Sequence, residues 1–105
     1  MLTVIAEIRT RPGAHHRQAV LDAFRKIIPT VLAEEGCHGY APLIDHAAGV
    51  DFQTSAPDSI VMLEKWESVQ HLQAHLQTAH MKSWSEAVKG DVLDTHIRIL
   101  EEGVK

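Results

Sequence analysis

Hydrophobic and polar residues alternate at both ends of this chain, which is the pattern of a β-strand with one buried side. The first alternating run covers residues 2–10 and is followed by the turn sequence Arg-Pro-Gly at 11–13. A second alternating run covers residues 94–102. We therefore expect the first strand at 2–10 and the last strand at 94–102.

A helical pattern follows the first strand. From residue 14 to residue 35, apolar residues recur every three or four positions, which predicts a long amphipathic helix. Gly36 supplies a C-terminal stop signal. Pro29 lies inside the helix and lacks an amide hydrogen, so we expect a kink or a new turn close to it.

The middle of the chain contains two further strand patterns. Residues 37–46 alternate weakly and include Pro42, which suits an edge strand or a bulge better than the centre of a sheet. Residues 59–67 alternate more regularly, and the segment between the two is a loop or hairpin connection. We expect the second and third strands in these positions.

Two short helices are predicted before the last strand. Ser68 is a candidate N-cap for a helix that ends at about residue 77. Thr78 is a candidate N-cap for another that ends at about residue 89, where Gly90 stops it.

The order of these elements defines an α+β fold. It reads β-α-β-β-α-β, the ferredoxin-like arrangement of an antiparallel sheet with helices on one face, in a single domain over residues 1–105. Three strands nevertheless carry large apolar residues on both sides: Ile5 and Ile8, Val61 and Met62, Ile97 and Leu100. A sheet covered on one face would alternate apolar with polar residues, so we expect a second copy of the sheet to cover the other face in a homodimer.

Charge and composition remove several classes of partner. The net charge is -4 and the ten Lys and Arg residues are scattered among fourteen acids, so no basic stripe for nucleic acid is present. Glu7 and Arg9 interrupt the first apolar run, which argues against a signal peptide, and no apolar run is long enough to span a membrane. Cys37 is the only cysteine, which fits a reducing compartment. We expect a cytoplasmic protein that binds neither membranes nor nucleic acid.

Three histidines stand between the two tryptophans of the chain, in the segment from Trp66 to Trp84. His71 and His75 are four residues apart and share a face of the first short helix, beside an apolar stripe. His80 and Trp84 have the same spacing in the second short helix. If these side chains converge, they form an apolar pocket with a few polar groups, as in small-molecule sites.

The residues leave more than one chemistry open for such a pocket. A metal site is disfavoured, because the sequence His-Leu-Gln-Ala-His lacks the glutamate of the zinc motif H-E-x-x-H and has no defined third ligand. No G-x-S-x-G nucleophile motif and no glycine-rich phosphate loop is present. Imidazole suits general acid/base catalysis near neutral pH. The alternative is that these histidines are structural.

Two longer stretches resemble a known family. "EEGCHGYAPL" at 34–43 and above all "LEKWESVQHLQAHLQTAH" at 63–80 are similar to antibiotic biosynthesis monooxygenase domains of the dimeric α/β barrel type, close to the small quinol monooxygenases. This resemblance implies a dimer formed by sheet-to-sheet packing. It also implies oxygenation of a hydroquinone or polycyclic phenol by dioxygen without a metal or flavin cofactor, the deprotonated substrate itself passing an electron to dioxygen.

The resemblance also suggests roles for individual residues. His75 matches the helix histidine of the motif and would be the base or proton shuttle, with His80 as its assistant or as a hydrogen-bond donor to the substrate. The remaining candidates are substrate-binding residues: Tyr40, Met62, Trp66, His71 and Trp84. The chain has no asparagine, which argues against the haem-degrading branch and some polyketide-oxidising members. An isomerase or lyase with the same pocket, and a non-catalytic dimeric binding or stress-response protein, remain open alternatives.

Overall fold

The computed structural model describes residues 1–104 and contains four strands and three helices within that range. In chain order the elements are β1 (Leu2–Thr10), α1 (Ala14–Leu32), β2 (Cys37–Leu43), β3 (Ser59–Trp66), α2 (Val69–Leu76), α3 (Ala79–Val88) and β4 (Val92–Leu100).

The four strands form one antiparallel sheet in the order β2-β3-β1-β4. The predicted ferredoxin-like α+β fold is therefore confirmed, with the second helical segment divided into α2 and α3. β2 is an edge strand, which is where Pro42 can be accommodated, because an edge strand has one side without a hydrogen-bonding neighbour.

The first helix is shorter than its apolar pattern predicts. It runs through Pro29 and ends at Leu32, three residues before the predicted end. The amides of Ala33 and Glu34 donate to the carbonyls of Thr30 and Val31, so the last turn tightens to i→i−3 bonds. Gly36 then has a φ of 81°, a left-handed conformation that turns the chain into β2.

Two strands also end earlier than predicted. β4 covers 92–100, two residues before the predicted range at both ends, because it pairs with β1 from Thr10 and Val92 through Thr3 and Leu100. β2 ends at Leu43, the last residue that pairs with β3. The ends of these strands are set by where the partner strand stops pairing. A local sequence pattern carries no information about the partner strand.

The hydrophobic core lies between the helices and one face of the sheet. The sheet contributes alternate residues of β1 and β3, and α1 contributes residues at spacings of four and seven. They are Val4, Ala6, Ile8, Ile60 and Met62 from the sheet and Val20, Phe24 and Val31 from the helix. Burial of each large aliphatic or aromatic side chain stabilises the fold by about 1.5–3 kcal/mol. This face carries the candidate site described below.

The other face of the sheet is not covered within residues 1–104 at its centre. Ile5 and Leu63 are paired neighbours on this face, and both are only partly buried, as is Val61. The expected homodimer would cover these residues, and it stays a prediction at this point.

The two short helices begin as predicted. The Ser68 hydroxyl accepts a hydrogen bond from the amide of His71, and the Thr78 hydroxyl accepts one from the amide of Met81. Both N-caps are therefore confirmed. Among residues 1–104, none of the helices combines the length and the apolar character that crossing a membrane requires.

Candidate active site

A cavity of about 430 Å³ lies between the sheet and the helices α1, α2 and α3. Its walls are mostly aliphatic and aromatic, with contributions from all four strands. Ile97 and Ile99 of β4 line the cavity and are 54% and 49% exposed, so the cavity opens toward this edge of the sheet. The volume lies within the range of small-molecule sites.

A carboxylate joins two of the predicted histidines beside this cavity. Oε2 of Glu34 lies 2.8 Å from Nδ1 of His75 and 2.9 Å from Nε2 of His80. A carboxylate only accepts hydrogen bonds, so both imidazole nitrogens carry their hydrogen toward Glu34. Glu34 thus determines the tautomer of both rings, and the lone pair of neutral His75 is on Nε2.

Thr78 determines how the two histidines are arranged. Its hydroxyl donates to the carbonyl of His75 at 2.8 Å and accepts from the amide of Met81 at 3.3 Å. One side chain therefore ends α2 and begins α3, between His75 and His80. The change of helix direction brings two residues that are five positions apart onto one carboxylate.

His75 is a buried polar group on the cavity wall. It lines the cavity, is 1% exposed and packs against the rings of Trp66 and Tyr40, with centroid distances of 4.7 and 5.4 Å. Burial lowers its pKa, and the hydrogen bond to Glu34 offsets part of that effect. Its Nε2 is buried and has no hydrogen-bond partner among residues 1–104. A buried acceptor without a hydrogen-bond partner is energetically costly.

The same three side chains could hold a metal ion. One ligand atom each from Glu34, His75 and His80 lies within 4.8 Å of the others. Two imidazoles and one carboxylate suit Zn²⁺ or Fe²⁺. Metal binding would require the two nitrogens that now donate to Glu34 to give up their hydrogens, which would place the hydrogen of His75 on Nε2.

The predicted site residues fall into two groups. Tyr40, Met62, His75 and Trp84 line the cavity. The three others do not line it: Trp66, His71 and His80.

Each of these three has a different position. Trp66 is 0% exposed and lies behind His75, in the core. His71 lies in a separate groove, where Nε2 is 3.7 Å from Glu35 and Nδ1 is 2.7 Å from the Ser68 hydroxyl. Nε2 of His80 bonds to Glu34, and the His80 ring lies 6.5 Å from the His75 ring between centroids. The predicted convergence therefore includes His75 and His80 but not His71, because α2 directs residues 71 and 75 to different surroundings.

Sequence reasoning missed two carboxyl groups. Glu34 follows α1 and offers no local signal, since its partners are more than forty residues away in the chain. Glu64 lines the cavity and is 6% exposed. The sequence does contain a signal for Glu64, because this residue is the one charged residue on the apolar side of β3, between Met62 and Trp66.

Comparisons with known proteins agree with this fold. Residues 1–87 match the family described as "Antibiotic biosynthesis monooxygenase". The chain belongs to this family, as the resemblance at 34–43 and 63–80 indicated.

Particular relatives can be named. The chain is 76% identical over 104 residues to the "Probable quinol monooxygenase YgiN" of Escherichia coli K12, covering 99% of this chain and 100% of that protein. Among solved structures, PA3566 from Pseudomonas aeruginosa is similar at 25% identity and a TM-score of 0.79, covering 98% of this chain and 94% of that one. Rv0793 from Mycobacterium tuberculosis shares the fold at 21% identity and a TM-score of 0.77, covering 99% and 96%.

Proposed function

We propose that this protein is a monooxygenase that acts on a hydroquinone or polycyclic phenol, with dioxygen as co-substrate, no metal or flavin cofactor, and His75 as the base. The observation that carries the proposal is the unpartnered Nε2 of His75 on a ring that lines an apolar cavity of about 430 Å³. Membership of the monooxygenase family and the 76% identity to a protein named as a quinol monooxygenase support it.

The first step is removal of a proton from the substrate. Nε2 of His75 accepts the hydrogen of a substrate hydroxyl, while Nδ1–H remains bonded to Glu34. The carboxylate of Glu34 stabilises the imidazolium that forms, as the third group of a nucleophile–base–carboxylate arrangement does. His80 keeps the same carboxylate oxygen in position from the outer side.

The substrate then supplies the electrons for dioxygen. The phenolate passes one electron to dioxygen, and the resulting radical and superoxide combine at a ring carbon. The imidazolium of His75 returns its proton to the peroxide, and loss of water leaves the second oxygen atom on the ring. For a hydroquinone, the overall reaction gives a hydroxyquinone and one water molecule, with no external reductant.

The cavity walls supply binding and exclude water. Tyr40, Met62 and Trp84 are the predicted substrate-binding residues that line the cavity, and they offer flat or flexible apolar surfaces to an aromatic ring. The Tyr40 hydroxyl lies 4.0 Å from the sulfur of Met81, and burial raises the pKa of Tyr40, so this side chain stays neutral. No lysine or arginine of residues 1–104 lines the cavity, and Glu64 is the one carboxyl group on its wall.

Oxygen consumption tests the proposal. We expect the purified protein to consume dioxygen with menadiol, and His75→Ala to lower the rate by about 100-fold or more, the usual contribution of a general base. His38→Ala is the control, since His38 is half-exposed on β2 and contacts Glu67 away from the cavity. Conversion of substrate under argon would indicate an isomerase or lyase, and binding without turnover under either gas would indicate a binding protein.

We also propose that two copies pack through the uncovered face of the sheet. Ile5, Val61 and Leu63 form an apolar centre there, and burial of such a face is a common reason for two-fold dimers. Leu63→Asp should yield a monomer in sedimentation velocity, whereas Lys82→Asp on the exposed side of α3 should not. A Leu63→Asp protein that sediments like the wild type would contradict this interface. The cytoplasmic location stays a prediction.

A further inference from the structure

Glu64 is the one acidic side chain on the cavity wall, and no lysine or arginine of residues 1–104 lines that wall with it. It lies in the middle of β3, paired with Val4 of β1 on one side and Tyr40 of β2 on the other. A carboxyl group at 6% exposure in such a place is rarely tolerated without a partner.

The protein provides a partner for only one of its two oxygens. Trp66 Nε1–H donates to Oε1 of Glu64 at 2.9 Å, and no other hydrogen bond to this carboxyl group occurs within residues 1–104. The ring of Trp66 also packs against His75, with centroids 4.7 Å apart. One buried indole therefore holds both Glu64 and His75 at the cavity, and Oε2 of Glu64 is left for a ligand.

We propose that Oε2 of Glu64 forms a hydrogen bond with a second oxygen atom of the substrate, while Nε2 of His75 accepts the hydrogen of the substrate hydroxyl. Glu64 thereby selects aromatic rings that carry two oxygen atoms over rings that carry one. This inference rests on the proposed function, because it assigns a specificity-determining residue to the same cavity. Nothing in the proposed proton transfer requires Glu64, so its role can be tested separately.

The surroundings of Glu64 favour the neutral carboxylic acid. Burial raises its pKa, and the hydrogen bond from Trp66 offsets only part of that effect. Four titratable groups surround Glu64: Tyr40 and Cys37 on the neighbouring strand β2, His75 on α2, and the carboxylate of Glu34. None of them is a permanent cation, and Glu34 disfavours a second negative charge. A neutral Glu64 has an O–H that can donate to a ligand oxygen.

The alternative is that Glu64 only accepts the indole hydrogen of Trp66. In that case Glu64 would affect the stability of the wall and the binding of every ligand equally. The two roles differ in how a substitution changes the choice between matched ligands.

Two ligands that differ by one atom make this comparison. We use 4-methoxy-1-naphthol and 4-ethyl-1-naphthol, in which an ether oxygen is replaced by a methylene group, and measure binding under argon by quenching of tryptophan fluorescence. The wild type should prefer the methoxy compound by about fivefold, the value of one neutral hydrogen bond. Glu64→Gln keeps a donor and should keep the preference. Glu64→Leu should bind both ligands with equal affinity.

A pH series provides the second measurement, which also decides if Glu64→Leu does not fold. Raising the pH ionises Glu64 and removes its donor hydrogen, so the methoxy preference of the wild type should fall while that of Glu64→Gln stays constant. The proposal is overturned if Glu64→Leu keeps the preference, if it weakens both ligands equally, or if the wild type and Glu64→Gln respond alike to pH. Selective binding without oxygen consumption would refute the oxygenase alone, and oxygen consumption without selectivity would refute the role of Glu64 alone.

Discussion

Replacement of Glu34 tests the arrangement on which the proposed base depends. Glu34→Ala removes the acceptor shared by His75 and His80, whereas Glu34→Gln can keep a carbonyl oxygen at the same position, since both nitrogens bond to one oxygen, Oε2. Glu34→Ala removes both the hydrogen-bond acceptor and its negative charge, whereas Glu34→Gln removes the negative charge alone. The pair therefore separates the two contributions.

The structure gives the size of each effect. His75 is 1% exposed and cannot replace its bond with water, so Glu34→Ala should lower the free energy of unfolding by about 2 kcal/mol, within the range for hydrogen bonds to charged groups. His80 is 22% exposed and contributes less, because water can replace its partner. Glu34→Gln should cost about 1 kcal/mol, since a neutral acceptor is about half as strong.

Replacement of Glu34 should also shift the pH dependence of the reaction in a defined direction. Glu34 raises the pKa of His75 through its hydrogen bond and its charge, against the lowering caused by burial. Glu34→Gln should therefore lower that pKa further, move the acid limb of the pH–rate profile to lower pH, and reduce the plateau rate because the base is weaker. The proposed mechanism requires neutral His75, so the wild-type acid limb should itself lie below the ordinary pKa of about 6.5.

Urea unfolding and pH–rate profiles measure these outcomes on the same samples. Glu35→Ala is the matched control, because its side chain is 93% exposed and it should change stability by less than about 0.5 kcal/mol. The reasoning is refuted if Glu34→Ala and Glu35→Ala are equally stable, or if the acid limb of Glu34→Gln moves to higher pH.

Three further predictions concern the scaffold and the cluster. Gly36→Ala should destabilise the protein by about 2–4 kcal/mol in thermal unfolding, because its Cβ would lie 2.3 Å from Cγ of His71 at a φ of 81°. Gly49→Ala is the comparison, because Gly49 has a φ of 71° but no atom within 4 Å of an added Cβ. It should lose only the stability that the left-handed backbone strain costs, and an equal loss of stability in the two variants would contradict the steric argument. Thr78→Ala should cost about 1 kcal/mol as a lost N-cap and lower the oxygenation rate by displacing His80, with Thr78→Ser restoring both; a full rate in Thr78→Ala would disprove the second effect. Dialysis against a chelator should leave the rate unchanged and added Zn²⁺ should lower it, since a bound ion would move the His75 hydrogen to Nε2; a rate that requires metal would reject the cofactor-free mechanism.

Local patterns were sufficient for the elements and the fold class. Alternation in β1 and β3, the apolar repeat of α1, and the hydroxyl caps at Ser68 and Thr78 depend on residues close in the chain, so the sequence contains the information. Element ends were less accurate at α1, β2 and β4, because the last pairing partner or the last tightened turn decides them.

The site depended on tertiary structure. His75 was a candidate from its motif, but the sequence could not show that it shares a carboxylate with His80, that His71 lies outside the cavity, or that Trp66 lies behind the cavity. The shared carboxylate belongs to Glu34, which lies forty-one residues before His75 in the chain. Hydrophobic periodicity is a property of neighbouring residues, whereas a hydrogen bond between distant side chains exists only after the chain has folded.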